Sequence, residues 1–585
     1  MQLPARLRQR QAELSRLGPL VLGVVPALLR CRFAREESLL HAALEQARRR
    51  PSKVALLCGD ERCTYAELAS RVDAYAAHLE DSGIAAGDVV GLVGENSLDY
   101  VTLLLALSRL GAAAALVSAE LDGALLSRAF ESARCRAVLV DAPLAERVAT
   151  AFAGLRIVYG DAAFRELTRP RRSPRAPLPN AAEGDFAFVF SSGTTGVSKA
   201  CRVSHRRARL SATAFGRLVH GLKSSDVLYC SLPLYHASPL LLGLGASLVA
   251  GATLALRPRF SASALLADVQ RCGATVLLYV GELGRAWLAQ PPTPDDRRHK
   301  LRVLVGNGMN ARVWAALRER FGIAHVREFY AASEFPGAVC NITDELGSVG
   351  HLPLGRWRGY RLVRVDADSG AVERDAQGRA IECRDGEAGE LVLRLRTSRE
   401  RPTGDYLGYV GEAAASERVA HDLFEPGDAY CRSGDLLRRD RGGHFFFVDR
   451  LGDTFRFKSE NVSTREVEEA FAGLPGVRSL VVVGVSLSSF DGKLGLAVLE
   501  VAGDFSLAAF AERAQSLPKA MRPCFVRLTP RIALTPSLKY KKADLARQGV
   551  DPSAVPDALF FRAEARFEPL DAAIFQRILR GETRF

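Results

Sequence analysis

Short apolar runs alternate with amphipathic stretches along much of the chain. From Val89 onward, the sequence predicts a strand to Val93, a helix that Ser97 caps and Gly111 ends, and then a second strand. Similar apolar runs occur at residues 137–140, 253–256, 275–280, 301–305 and 326–329. Because apolar strands separated by helices are typical of parallel sheets covered by helices, the pattern predicts an α/β fold.

The pattern changes towards the C terminus. Beyond Tyr360 the sequence becomes rich in turns and short β-like runs, and after FVDRLGD (residues 447–453) a smaller mixed α and β segment follows. These shifts predict an N-terminal segment (1–38), a large domain (39–448) and a small C-terminal domain (449–585).

Composition indicates an ordinary folded protein with a basic balance. Hydrophobic residues make up 48% and charged residues 25%, so disorder is not expected. The formal net charge of +13 favours acidic partners such as nucleotides, coenzymes or anionic lipid surfaces, although it also serves solubility alone. We expect no nucleic acid partner. The 11 cysteines are scattered without a C-x-x-C pair, which favours reduced thiols in the cytoplasm over a disulfide framework or structural zinc.

Two uncharged stretches need an interpretation. Residues 17–29 lie between basic flanks, are too short to span a bilayer, and lack a small-residue cleavage site after them. They predict a membrane-interfacial segment or a helix packed on the domain surface. Residues 227–256 contain Pro233, His236 and Pro239, which argue against a membrane span and favour buried core or the lining of an apolar tunnel.

The sequence SSGTTGVSK follows directly on an apolar run (186–190) that predicts a buried strand. Gly193 and Gly196 allow several backbone N–H groups to point into one concavity, and the hydroxyls and Lys199 add donors and positive charge. A polyphosphate matches such a loop best, with a flexible polar loop as the alternative. It is not a Walker loop, because two residues separate Gly196 from Lys199.

This loop resembles the phosphate loop of the adenylate-forming superfamily. Other motifs of that superfamily follow in order, namely GNGMN (306–310), REFYAASE (327–334), YCRSGDLL (430–437), DRLGDTFRFKSENVSTREVE (449–468) and LTPSLKYKKADL (534–545). Further stretches narrow the resemblance to the fatty acid transport proteins, also called very long-chain acyl-CoA synthetases: LPLYH (232–236), FSAS (260–263), YVGELGR (279–285) and VDPSAVPDALFF (550–561). The resemblance extends from about residue 39 to the C terminus.

The resemblance implies a fold and an activity. The large domain would be an AMP-binding domain of layered α/β sheets with a β-rich subdomain, and the small α+β domain a mobile lid. The protein would use ATP and Mg²⁺ to convert a long- or very long-chain fatty acid to acyl-AMP. It would then transfer the acyl group to coenzyme A, releasing AMP after pyrophosphate.

The resemblance also assigns the ATP contacts. The departing phosphates would lie against Ser191, Ser192, Gly193, Thr194, Thr195, Gly196 and Lys199. The adenosine would be bound by Gly306, Asn307, Gly308, Tyr330, Ser333, Asp435 and Arg450. Tyr330 offers a flat face on which adenine can stack, and Asp435 offers two oxygens to the ribose hydroxyls.

Catalysis is assigned to two charged residues. Glu334 would help to hold Mg²⁺, and Lys539 would bridge the carboxylate and the α-phosphate. Lys541 and Lys542 lie in the same segment, so the choice of Lys539 depends on its spacing from Thr535.

Three further positions would act in gating, lid movement and thioester formation. His236 would gate the acyl pocket, or else be a hydrogen-bonded core histidine; Gly452 would be the hinge of the lid. Ser459 stands at the coenzyme A passage, where relatives have glycine.

Other departures from the family pattern affect the acyl pocket and the catalytic turn. Phe335 and Pro336 follow Glu334 in place of Gly-Asn, and Pro536 replaces a glycine before Lys539. Ser459 leaves open an acyl-AMP ligase that acylates a carrier protein. A fatty-acid uptake or binding protein with weakened catalysis is a further alternative. In each case we expect a cytoplasmic protein, peripheral at the inner face of a membrane.

Overall fold

A computed structural model describes residues 38–167, 174, 184–191, 199–332, 335–352, 359–366, 369–395, 418–457, 460–490, 492–535, 539–582 and 585. The chain divides into two compact units, one of residues 1–350 and 396–417, the other of residues 351–395 and 418–585. The predicted boundary near Asp449 lies within the second unit, so the division into 39–448 and 449–585 stays a prediction.

The first unit contains two largely parallel sheets. The described eight-stranded sheet has the order Ala338–Cys340, His325–Ala331, Val303–Asn307, Val276–Val280, Val227–Cys230, Thr253–Leu256, Val54–Cys58 and Glu61–Thr64, with antiparallel strands at both edges. The described six-stranded sheet has the order Leu155–Tyr159, Ala137–Asp141, Val89–Val93, Ala113–Val117, Asp185–Ser191 and Lys199–Ser204. These strands confirm the α/β prediction, because their apolar side chains are buried in a core between sheets and helices.

The α-helices described in this unit are Leu39–Arg49, Tyr65–Asp81, Leu98–Leu110, Gly123–Ala133, Ala145–Ala151, Ala162–Leu167, His205–Ala214, Ala246–Ala250, Leu265–Cys272, Gly281–Leu288 and Ala311–Phe321. Ala142–Leu144 is a 3₁₀ helix, and Phe215–Val219 and Ser238–Gly245 are π-helical. The predicted cap is confirmed, since the Ser97 hydroxyl accepts a hydrogen bond from Tyr100 N–H and Gly111 ends that helix at φ 75°.

The second unit contains antiparallel and mixed sheets. The antiparallel sheet has the order Gly350–His351, which lies at the boundary between the units, then His444–Arg450, Ala429–Arg439, Ala388–Arg394 and Tyr360–Val363. Val419–His421 pairs with Ala429–Arg439. The mixed sheet has the order Val477–Val485, Leu494–Val501, Phe525–Leu528, Ala558–Ala563 and Arg566–Pro569, and Phe455–Phe457 pairs with Glu460–Val462. The described helices are Thr464–Ala470, Leu507–Gln515, Lys542–Gln548, Ala572–Leu579 and the 3₁₀ turn Lys519–Met521.

Residues 227–256 illustrate how an uncharged stretch is used in the fold. They form two strands of the eight-stranded sheet and the helical segment between them, and most of their side chains are buried in the core. Across the described parts of the chain, every helix is too short or too polar to cross a bilayer.

Candidate active site

The predicted site residues are divided between the two units, and some lie outside the described residues. Those outside are Ser192, Gly193, Thr194, Thr195, Gly196, Ser333, Glu334 and Ser459. The two ends of the predicted phosphate loop are described: Ser191 ends one strand, Lys199 begins the next, and the two residues pair directly in the antiparallel ladder. The loop is therefore a connection between neighbouring strands, which fits its predicted position after a buried strand.

Residues 306–308, here called the glycine turn, are the last two residues of a parallel strand and the glycine that follows its carboxyl end. Gly306 and Asn307 end the strand Val303–Asn307, and Gly308 follows with φ +78°, a conformation that side chains rarely adopt. A Cβ on Gly306 would lie 2.2 Å from the carbonyl oxygen of Tyr279. Both positions thus need glycine, one for close approach and the other for its backbone angle.

A buried carboxylate holds this turn in place. Glu328 is 2% exposed and accepts hydrogen bonds from Gly308 N–H (2.9 Å), Met309 N–H (3.0 Å) and the Tyr279 hydroxyl (2.5 Å). Burial, together with the charge of Glu328, raises the pKa of Tyr279 well above its usual value, so the phenol remains a donor. Glu328 was missed by the sequence reasoning, although an acid inside an apolar strand signals a buried charge that needs partners.

Tyr330 lies on the neighbouring strand His325–Ala331 and is 7% exposed. Its ring centroid is 6.3 Å from that of Phe335, at an interplanar angle of 66°. Phe335 is buried, its N–H donates to the Ala332 carbonyl (3.1 Å), and its own carbonyl accepts from Arg207 Nη2 (3.3 Å). The departure from the family pattern at Phe335 thus places a phenyl ring beside Tyr330.

His236 lies in a turn held by a side-chain amide. Its N–H donates to the Pro233 carbonyl (3.1 Å), and its ring centroid lies 4.7 Å from that of the neighbouring Tyr235. Asn96 fastens this turn by donating to the Leu232 carbonyl (2.9 Å) and accepting from Leu234 N–H (2.9 Å). The turn precedes the π-helix Ser238–Gly245, a helix type often found at functional sites.

In the second unit, Asp435 and Arg450 are direct partners across two antiparallel strands. Arg450 Nε lies 3.8 Å from Asp435 Oδ1. Gly434 lies within the strand Ala429–Arg439 at an irregularity of the ladder, with φ 74°, and the sharp turn predicted there is therefore wrong. The fully buried Glu390 accepts from Gly434 N–H (2.8 Å) and pairs with Arg432. The structure therefore brings together the two residues predicted to contact the ribose.

Gly452 lies in the turn that follows this strand. A Cβ at Gly452 would meet no atom within 4 Å, and the residue does not have a positive φ. The conformation seen here does not require glycine, and the hinge role of Gly452 stays a prediction.

Lys539 is exposed and closes a small hairpin. Its carbonyl accepts from Thr535 N–H (2.7 Å), its N–H donates to Thr535 Oγ1 (3.0 Å), and Leu534 pairs with Tyr540. Lys542, in contrast, is largely buried and paired with Glu468 at 2.9 Å. Lys542 is therefore committed to a structural ion pair, whereas Lys539 and Lys541 are both exposed, and the choice of Lys539 stays a prediction.

Comparison with known proteins places the chain in a family. The family model for AMP-binding enzymes matches residues 44–397. Long-chain fatty acid transport protein 1 of Homo sapiens is 35% identical over 560 residues, which cover 91% of this chain and 86% of that protein. The medium/long-chain-fatty-acid–CoA ligase FadD6 of Mycobacterium tuberculosis is 35% identical over 513 residues, covering 86% and 84% of the two chains.

Solved structures agree on the fold. The anthranilate CoA ligase AuaEII in complex with anthranoyl-AMP matches with a TM-score of 0.74 at 21% identity, covering 87% of this chain and 96% of that one. O-succinylbenzoate coenzyme A synthetase from Bacillus subtilis, in complex with ATP and magnesium, matches with a TM-score of 0.70 at 22% identity, covering 86% and 99%. The chain thus belongs to the AMP-binding enzymes and, among them, to the fatty acid transport protein family that its motifs resemble.

Proposed function

We propose that this protein is an ATP-dependent long-chain fatty acid:CoA ligase. In the first step a carboxylate oxygen of the fatty acid attacks the α-phosphorus of ATP, the bond to the β-phosphate breaks, and pyrophosphate leaves. In the second step the sulfur of coenzyme A attacks the acyl carbon, the thiol loses its proton, and the acyl–oxygen bond breaks to release AMP.

The observation that carries the proposal is the glycine turn at 306–308 and its support by Glu328. The turn lies at the carboxyl end of a parallel strand, which is where open α/β sheets bind nucleotides, and its exposed residue Gly308 has no side chain. Because Glu328 already accepts from two N–H groups of this turn, the turn is preorganised before a base arrives. The similarity to FadD6, which is named a fatty-acid–CoA ligase, supports the same reaction.

Charge explains the roles proposed for Lys539 and Glu334. The fatty carboxylate and the triphosphate are both anions, so their approach requires positive charge near the α-phosphate, which Lys539 would supply. Glu334, three residues after the strand His325–Ala331, would hold Mg²⁺ together with the phosphates of ATP. Bound there, the ion would neutralise charge on the phosphate oxygens.

An assay of the three products tests the proposal. Purified protein supplied with ATP, Mg²⁺, a long-chain acid and coenzyme A should release pyrophosphate and AMP and form acyl-CoA, detected by mass spectrometry. Lys539→Ala should lower the rate of acid-dependent pyrophosphate release by about 100-fold or more, as expected when a transition-state charge is removed. Lys519→Ala, at another exposed lysine of the same unit, is the matched control and should retain the wild-type rate. Absence of pyrophosphate release from the wild-type protein across a panel of acids would contradict the proposal.

Ser459 favours a second acceptor. A side chain at the predicted coenzyme A passage would narrow the route of the thiol, which suits an enzyme that hands the acyl group to a carrier protein. Accumulation of acyl-AMP in the presence of free coenzyme A, with acylation of an added carrier protein, would identify that activity instead.

We also infer that the protein works at the surface of a membrane. Its net charge of +13 and the uncharged residues 17–29 between basic flanks support attraction to anionic lipid and shallow insertion. A long-chain acid is concentrated in membranes, so an enzyme at their surface meets its substrate there.

A further inference from the structure

A partly buried group of charged side chains lies at the base of the Lys539 hairpin. Lys542 Nζ lies 2.9 Å from Glu468 Oε1 and donates a hydrogen bond to Thr464 Oγ1 at 2.6 Å. Glu468 Oε1 also accepts from Val482 N–H at 2.8 Å. The first residue of the helix Lys542–Gln548 is thereby tied to two residues one turn apart on the helix Thr464–Ala470.

The same group extends to the strand that carries Arg450. Thr464 donates to Asp449 Oδ2 through its N–H (2.6 Å) and its hydroxyl (3.0 Å), and both residues are buried. Ser463 Oγ donates to the Val448 carbonyl at 3.0 Å. These bonds connect residues on the two sides of Gly452, so they fasten the segment after the predicted hinge to the segment before it.

Lys542 is also the first residue of the helix that follows one arm of the hairpin. The helix begins immediately after Lys541, whose N–H donates to the Ala533 carbonyl (3.1 Å) on the opposite arm. With Lys539 only three residues before Lys542, a shift of the helix start moves the hairpin with it. A continuous set of bonds thus runs from Asp449 through Thr464 and Lys542 to the Lys539 hairpin.

The charges of this group are balanced by Lys542. Burial acts to lower the pKa of Lys542, but the nearby Glu468, Asp449 and Asp453 outweigh it and raise that pKa, so Lys542 is charged at neutral pH. Burial raises the pKa values of Glu468 and Asp453. Loss of the Lys542 cation would leave Glu468 without its paired charge, and the group would rearrange.

We propose that Lys542 is a positioning residue for Lys539, because its buried contacts with Glu468 and Thr464 set the place of the Lys539 hairpin relative to Asp449 and Arg450. This inference rests on the proposed function and adds a residue to it. Lys542 acts through Lys539, and its effect is confined to formation of acyl-AMP.

Separate assays of the two half-reactions test this inference. Acid-dependent exchange of pyrophosphate into ATP measures acyl-AMP formation, and synthetic acyl-AMP supplied with coenzyme A measures thioester formation. Lys542→Met should lower kcat for exchange about 10- to 100-fold, the cost of misplacing a catalytic group by about 1 Å, with the KM for ATP little changed. The thioester half-reaction should stay within about twofold of wild type, because it does not use Lys539.

Measuring the effect of Lys542→Met in the Lys539→Ala variant distinguishes a positioning role from a general effect on stability. In Lys539→Ala, the further change Lys542→Met should produce no additional loss of exchange, because the group it positions is already gone. Lys519→Met, at an exposed lysine of the same unit outside this group, is the control and should retain wild-type exchange. Glu468→Gln weakens the same ion pair while keeping Lys542, so it should give the same pattern with a smaller loss and serves if Lys542→Met does not fold.

Several outcomes would overturn the inference. Equal losses in both half-reactions, an added loss in the Lys539→Ala background, or wild-type exchange in both Lys542→Met and Glu468→Gln would each do so while leaving the proposed function intact. Wild-type protein without acid-dependent exchange would instead remove the proposed function, and this inference with it.

Discussion

Two buried glutamates, one in each unit, accept hydrogen bonds from the backbone of a segment that contains glycine. Glu328 accepts hydrogen bonds from the backbone of Gly308 and Met309, and Glu390 accepts one from the backbone of Gly434. In each case a carboxylate inside a strand holds a glycine with a positive φ in a segment that is predicted to contact adenosine. Hydrogen bonds that the backbone donates to a buried carboxylate restrict the movement of the glycine they hold.

Glu328→Gln should weaken nucleotide binding more than it weakens any other property of the site. The amide can accept fewer of the three hydrogen bonds, and its NH₂ group would face a backbone donor, which costs about 1–3 kcal/mol per unsatisfied group. We expect the KM for ATP to rise about tenfold or more, with a small change in the KM for the fatty acid. Initial rates at varied ATP and acid concentrations measure both, and Glu319→Gln, at an exposed position, is the control. An unchanged KM for ATP would show that the turn does not depend on Glu328.

Two buried histidines should make stability depend on pH below neutrality. Burial lowers the pKa of His205 and of His220 to about 4, whereas an imidazole in the unfolded chain titrates near 6.5. Between these pH values the unfolded chain binds more protons than the folded protein. The contribution of these histidines to the free energy of unfolding is therefore fully present above about pH 6.5 and decreases as the pH drops towards 4. Each group contributes roughly 3 kcal/mol at most.

Urea unfolding at a series of pH values from 7.5 to 4.5 measures this loss. His220→Gln removes one of the two titrations, so its free energy of unfolding should fall less steeply over that range than that of the wild type. The same slope in His220→Gln and in the wild type would contradict the assignment of this pH dependence to His220.

At the scale of elements, the site depends on a close approach of two backbone segments. The helix Gly281–Leu288 begins against the turn at 306–309, and a Cβ on Gly281 would lie 2.0 Å from the Gly308 carbonyl oxygen. Since both partners at this contact are backbone, neither can move aside by changing a rotamer. The helix and the strand end are thus fitted to each other through glycine.

Gly281→Ala should therefore displace the turn. We expect a loss of about 1–3 kcal/mol in the free energy of unfolding, typical of overpacking, and a raised KM for ATP. Gly503→Ala is the matched control, since a Cβ there meets no atom within 4 Å. Urea unfolding and ATP-dependent rates measure the two effects, and equal behaviour of the two variants would contradict the role of this contact.

At the scale of the whole molecule, we expect membrane attachment to depend on the N-terminal residues. Deletion of residues 1–36 leaves Ser38, which caps the helix Leu39–Arg49, and should preserve acyl-AMP formation while reducing co-sedimentation with vesicles that contain anionic lipid. A full-length variant with serines in place of the leucines among residues 17–29 separates the apolar contribution from charge. Vesicle binding that is unchanged in both proteins would place the membrane contact elsewhere.

The sequence by itself determined the α/β class, the order of the motifs and the start and end of the helix between Ser97 and Gly111. These features depend on local properties: apolar strands such as Val303–Asn307, the cap at Ser97, and glycines that permit a positive φ, as at Gly308. The placement of a turn after a strand follows from residues that are neighbours in the chain.

Only the tertiary structure decided which distant groups meet. Glu390 accepts a hydrogen bond from the Gly434 N–H. Glu468 forms an ion pair with Lys542, which gives that lysine a structural contact, whereas Lys539 is exposed. It also decided that the uncharged residues 227–256 are core. The physical reason is that a buried charge is stable only when folding brings partners to it, and neither propensity nor spacing specifies a partner so far away in the chain.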